Sequence, residues 1–158
     1  MQLSGSCHCQ KIKFSVTSHT PYPFMLCYCT VCRKTAGSGG YAINLLGFNK
    51  TLSVNGGNHI RIYQATINGS NSEAHRHFCG FCGSGLWIWD SRWPELIHPF
   101  ASAIDTKLPR TPEYMHIMLQ FAPEWVQRPQ QNSTNKLYNG YPDTSIESWH
   151  RTHGLYEE

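Results

Sequence analysis

The chain has 158 residues, 40% of them hydrophobic, and a formal net charge of +3, which suits one domain with a core that can stand without cross-links. Its Lys and Arg are dispersed, with Arg33-Lys34 the sole adjacent pair, so it lacks the basic footprint of a nucleic-acid binder. The start, Met1 to Ser6, is neither basic nor apolar and no run approaches the ~18 apolar residues that span a bilayer, so we expect a soluble cytoplasmic protein with no membrane partner.

In chain order, Lys11-Ile12-Lys13-Phe14-Ser15-Val16-Thr17 alternates polar and apolar in period two and predicts a half-buried strand. Tyr41 to Leu46 and Thr51 to Val54 are short apolar runs on either side of Gly47-Phe48-Asn49. After the turn Asn55-Gly56-Gly57-Asn58, the segment His59-Ile60-Arg61-Ile62-Tyr63 alternates again. Ile67-Asn68-Gly69-Ser70-Asn71 marks a hairpin tip leading into Ala74 to Phe78, and Leu86-Trp87-Ile88-Trp89-Asp90 resumes strand character. Helical periodicity is missing until the C-terminal part. There Thr144 and Glu147 make a capping-box pattern and Gly154 can end the turn, predicting one short helix over 145–153. The polar, Pro-bearing stretch 127–136 reads as a surface loop. The expectation is a mainly β protein with a short C-terminal helix, divided into a β core over 1–126 and a loop with a C-terminal arm over 127–158.

The seven cysteines fall in three tight clusters: Cys7-His8-Cys9, Cys27-Tyr28-Cys29-Thr30-Val31-Cys32 and Cys79-Gly80-Phe81-Cys82. Thiolates one or two residues apart can turn inward on a single loop and meet a tetrahedral zinc at about 2.3 Å, whereas they are poorly spaced for disulfides. Seven divide most economically into four plus three. Cys7, Cys9, Cys79 and Cys82 make a closed structural site, with glycines after Cys79 and Cys82 for the turn. Cys27, Cys29 and Cys32 supply three ligands and leave a fourth position open, the mark of a catalytic zinc. Three thiolates render that metal anionic, favouring a soft thiolate or a carbonyl over water as fourth ligand, with Arg33-Lys34 able to offset the charge. Two other readings stay open. One of the nine histidines, or an Asp, could close the trio, or the trio could be a low-pKa thiol cluster holding no metal.

Trp87, Trp89 and Trp93 with Phe81 could form an aromatic wall for a flat substrate, or simply belong to the sheet core. His98, His116 and Asp105 are the candidates for acid–base work, set against a plain role as satisfied polar or turn residues. Thr35-Ala36-Gly37-Ser38-Gly39-Gly40 lacks the Lys and setting of a phosphate loop and reads as a flexible lip beside the trio. His150 and His153 are only a weak metal pair.

Gly5-Ser6-Cys7-His8-Cys9, the run Cys27 to Gly37 and Phe78-Cys79-Gly80-Phe81-Cys82-Gly83-Ser84-Gly85-Leu86 together resemble the glutathione-dependent formaldehyde-activating enzyme family, which includes centromere protein V. The resemblance covers about residues 4 to 126. It implies a β-tent fold, a structural zinc on Cys7, Cys9, Cys79 and Cys82, and a more labile zinc on Cys27, Cys29 and Cys32, two zinc ions per chain. It also implies condensation of formaldehyde with glutathione as co-substrate, a carbon–sulfur lyase reaction in reverse. Tyr28 stands where members often carry His, which bears on substrate handling rather than on metal. The leading expectation is therefore a zinc-dependent carbon–sulfur lyase acting on a small electrophile or its glutathione adduct. The alternatives are a zinc-dependent lyase, isomerase or decarboxylase acting on a larger aromatic metabolite, and a non-catalytic zinc scaffold for a protein partner.

Overall fold

The computed structural model describes residues 1–156. Strands β1 (Gln2–Ser6) and β2 (Lys13–Thr17) pair antiparallel, with Gly5 opposite Phe14. The alternation read from the sequence sets the faces: Leu3, Phe14 and Val16 turn inward while Gln2, Ser4 and Lys13 face out. Burying Leu3, Ile12 and Val16, all at 0% exposure, contributes about 1.5–3 kcal/mol per side chain relative to leaving it in water. Gly5 is required here, because a Cβ would meet Ala103 O at 2.4 Å and the Phe14 ring at 2.5 Å.

The chain then runs through β3 (Phe24–Cys27), α1 (Thr30–Ala36), β4 (Ala42–Asn44), β5 (Gly47–Phe48) and β6 (Ser53–Asn55). Next come β7 (Ile60–Ile67), β8 (Ser70–Cys79), β9 (Gly85–Asp90) and β10 (Leu96–Pro99), followed by β11 (Tyr114–Ile117), β12 (Asn135–Leu137) and α2 (Ile146–Thr152). They form a three-stranded sheet in the order β1-β2-β6, a five-stranded sheet β5-β10-β9-β8-β7 and a four-stranded sheet β12-β11-β3-β4. The expected hairpin tip joins β7 to β8, with Asn68 at φ 51° and Gly69 at φ 80°, the left-handed pair that a two-residue hairpin turn demands. The mainly β architecture agrees with the β-tent expectation.

Three features differ from the sequence reading. A helix, α1, precedes residue 90, directly after Cys29. The C-terminal helix α2 is capped by Ser145, whose hydroxyl accepts from the Ser148 amide, rather than by Thr144; either hydroxyl suits a cap, and Glu147 falls in the first turn in both registers. The Gly-rich segment is anchored at its end, where Gly40 is buried and a Cβ would meet Val126 at 2.3 Å, while Ser38 and Gly39 stay exposed. Beyond residue 127, β12 adds parallel to β11 and Trp149 of α2 packs into the core.

Of three apolar clusters, two contain cysteines. One gathers Leu3, Ile12, Phe14, Val16, Leu45, Leu86, Trp87 and Ile97 together with Cys7 and Cys79. The other gathers Met25, Ala42, Ala74, Ile88, Phe100, Met115, Ile117 and Trp149 around Cys27 and Cys32. Each cysteine group therefore sits against its own hydrophobic core.

Candidate metal centres

The loop after β1 turns at Gln10 with φ 63°, and the Gln10 amide donates to Cys7 O at 3.0 Å. The Ile12 amide donates to Cys7 Sγ at 3.3 Å. The loop after β8 closes similarly: the Gly83 amide donates to Cys79 O at 2.9 Å, and Gly83 holds φ 77°. Ser84 ties the two loops, its hydroxyl accepting from the His8 amide at 3.1 Å and lying 3.2 Å from Cys82 Sγ. That hydroxyl, followed by the Ser84 amide, brings the exposed Cys82 thiol down to about 5.

All four sulfurs of Cys7, Cys9, Cys79 and Cys82 lie within 4.8 Å of one another. Cys7 and Cys9 are separated by 3.5 Å and Cys9 and Cys79 by 3.8 Å. A tetrahedron with Zn–S bonds of about 2.3 Å has edges of about 3.8 Å, so the donor set and its spacing fit zinc.

Cys27 ends β3, and Cys29 is the N-cap of α1, its sulfur accepting from the Cys32 amide at 3.3 Å. The short α1 thus exists to fold Cys32 back over Cys29. The three sulfurs again lie within 4.8 Å of one another; Cys27 and Cys32 are buried, and Cys29 is half-buried. Hydrogen bonds from the Cys27 and Cys32 thiols, and then from the Cys32 and Val31 amides, pull the Cys29 thiol far below its ordinary range. The same sharing holds the Cys27 proton on. This is a preformed acceptor for a soft cation with one thiolate turned toward solvent, a chemistry that fits a three-ligand zinc site.

Arg76 of β8, an unanticipated member of this site, donates from Nη2 to Cys32 Sγ at 3.9 Å. It shares the inward phase of β8 with Ala74, both being buried, and a cation on the apolar phase of a strand was the available signal. Tyr141 borders this neighbourhood: the residue as a whole is exposed, but partial loss of hydration, and then the charges of Cys27, Cys29 and Cys32, push its phenol up, while Arg92 pulls it the other way. Arg92 is held by two bonds to Asp90, at 2.9 and 2.7 Å.

None of the acid–base candidates makes a hydrogen bond to a trio sulfur among the described residues, although His98 shares a cross-strand row with Ile88 and Arg76. His116 is buried, with Tyr28 Oη 2.9 Å from Nδ1 and Asn135 Oδ1 3.1 Å from Nε2. His98 donates from Nδ1 to Leu45 O at 3.1 Å, and Asp105 accepts from the Ser6 hydroxyl at 2.7 Å beside β1. Trp87 and Trp89 belong to β9, where Trp87 stacks on His77 and packs edge-on to Phe14 and Trp89 packs on His75, whereas Trp93 is exposed in the turn before β10, under Arg92. Phe81 is exposed beneath Lys11. His150 bonds to Tyr22 O at 2.6 Å and His153 to Trp149 O at 2.8 Å, so the two do not face a common ligand. A groove of about 280 Å³ follows α1, lined by Thr30, Val31, Arg33, Lys34, Thr35 and Tyr63 rather than by the trio.

A mainly β fold carrying one four-thiol and one three-thiol cluster defines the class of protein. Residues 2–120 match the family model for glutathione-dependent formaldehyde-activating enzyme. A Halomonas elongata protein, named provisionally as a glutathione-dependent formaldehyde-activating enzyme, is 55% identical over 157 residues, 99% of each chain. The chain belongs to the glutathione-dependent formaldehyde-activating enzyme family. The crystal structure of a Rhodobacter sphaeroides protein shares the fold at a TM-score of 0.52 and 23% identity, over 70% of this chain and 93% of that one. No helix among the described residues is long and apolar enough to cross a membrane.

Proposed function

We propose that the chain is a zinc-dependent carbon–sulfur lyase interconverting formaldehyde plus glutathione with S-hydroxymethylglutathione. The reaction is placed at Cys27, Cys29 and Cys32, while Cys7, Cys9, Cys79 and Cys82 hold a structural zinc. The observation that carries the reading is the trio itself: three sulfurs within 4.8 Å, with the half-buried Cys29 at the solvent side, in a chain of this family.

In the addition, the glutathione sulfur forms a bond to the formaldehyde carbon, the carbonyl π pair moves to oxygen, and the thiol proton ends on the new hydroxyl. Bound zinc would supply Lewis acidity for the carbonyl and a soft seat for the incoming thiolate. The protein's own contribution is positional. Capping by Cys29 fixes its sulfur against the Cys32 amide, and Phe100, Ile88, Met115 and Trp149 pack with the buried Cys27 and Cys32, keeping that side away from water. Excluding water strengthens every charge interaction within the site.

The test is exchange spectroscopy by NMR on zinc-loaded protein with ¹³C-formaldehyde and glutathione. Faster exchange between free and thiol-bound carbon than in buffer is the expected result. Exchange at the buffer rate, with two zinc ions bound, would overturn the proposal.

A further inference from the structure

Arg76 is 9% exposed, and a guanidinium keeps its charge at any pH a protein survives. Burying such a cation without an anion beside it is expensive. Among the described residues no carboxylate pairs with it; Nη2 reaches Cys32 Sγ at 3.9 Å, and Nε and Nη1 are buried with no acceptor at all. The negative charge answering this cation therefore has to come from the sulfur cluster. Three thiolates around a dication sum to a single negative charge, which one guanidinium balances.

We infer that Arg76 is the built-in counter-cation of the Cys27/Cys29/Cys32 centre, a positioning residue that tightens binding of a divalent metal there and tunes how strongly its thiolates donate. The inference rests on the reading that the trio holds a metal. Its charge, rather than a particular hydrogen-bond fork, is the working part, because two of its donor nitrogens bond to nothing. Lysine at this position should therefore serve nearly as well, although Arg and Lys differ at bidentate sites. The Arg33-Lys34 pair, able by its place in the sequence to offset this charge, is joined by a residue distant in sequence: Arg76 donates to a trio sulfur.

The experiment uses full-length protein titrated with Zn²⁺ against a chromophoric chelator, and with Co²⁺ for its sulfur-to-metal charge-transfer band. Wild type should take two equivalents. Arg76→Met should keep the tight equivalent and lose the weaker one's affinity by about tenfold to a hundredfold, the range for residues that support metal ligands. Arg76→Lys should stay within about threefold of wild type. The Co²⁺ band of the weaker site should move to lower energy in Arg76→Met, since thiolates relieved of a neighbouring cation give up electrons more readily. A merely structural role would lower the melting temperature without moving that band. Should Arg76→Met prove insoluble, Arg76→Gln against Arg76→Lys makes the same comparison. Wild-type affinity and band position in the neutral variants would overturn the inference. A single equivalent in wild type would instead sink the metal reading of the trio, and the inference with it, before any variant is made.

Discussion

The Tyr28 hydroxyl sits 2.9 Å from His116 Nδ1, on a residue flanked in sequence by two trio cysteines yet packed with Leu26, Leu119 and Val126 rather than with the trio. Strand alternation explains it, since Cys27 faces one side of the sheet and its neighbours the other. The position between the first two trio cysteines is thus occupied by a core residue, 1% exposed.

Tyr28→Phe should leave exchange of formaldehyde with glutathione at wild-type rate. It should cost about 1–3 kcal/mol in stability, because His116 loses a buried partner. Denaturant unfolding beside an activity assay checks both halves, and a large activity loss at unchanged stability would contradict them.

Cys79→Ser should destabilise by about 4 kcal/mol or more and release one metal equivalent, because binding free energy at a closed site becomes folding free energy. Cys79 is fully buried between the two loops. Thermal unfolding with metal analysis decides it, and an unshifted melting temperature would refute it.

Cys29→Ser should be folded, one metal short and inactive. Serine is itself a preferred N-cap, so α1 keeps its first turn while the centre loses a sulfur. Circular dichroism, metal content and turnover together test this; full turnover would remove the trio from the active site.

His98 is held below its ordinary value of 6.5, chiefly by burial. Its folded pKa lies under its unfolded one, so the unfolded chain binds more protons. Stability is then complete above about pH 6.5 and falls as pH drops from there toward the folded value. His77 and His116 shift the same way, also through burial. Melting temperatures at pH 7.5 and 5.5 should show the loss, and His98→Asn, which can still donate to Leu45 O, should reduce it. A melting temperature independent of pH across this window would contradict the assignment.

The sheet and both thiol groups were readable because their signals are local: period-two alternation at 11–17, a left-handed turn at Asn68-Gly69, paired cysteines on tight loops. What escaped was non-local or brief. Thr30 to Ala36 makes only seven helical residues, including β-branched Thr30, Val31 and Thr35, and it is held by the Cys29 cap and packing rather than by propensity. Arg76 reaches Cys32 only through tertiary packing, and the inward phase of Ala74 and Arg76 was hidden by the histidines on either side. The tryptophans suggested a pocket wall, but β8 histidines opposite Trp87 and Trp89 claim their rings, and Trp93 lies under Arg92.

The trio's strand β3 lies between β4 and β11, and β11 in turn carries β12. During synthesis, the three thiols leave the ribosome roughly a hundred residues before the segment that completes their sheet. The sheet that seats Cys27 is complete only once Asn135–Leu137 has been made, so the geometry of this cysteine group depends on contacts between distant parts of the chain.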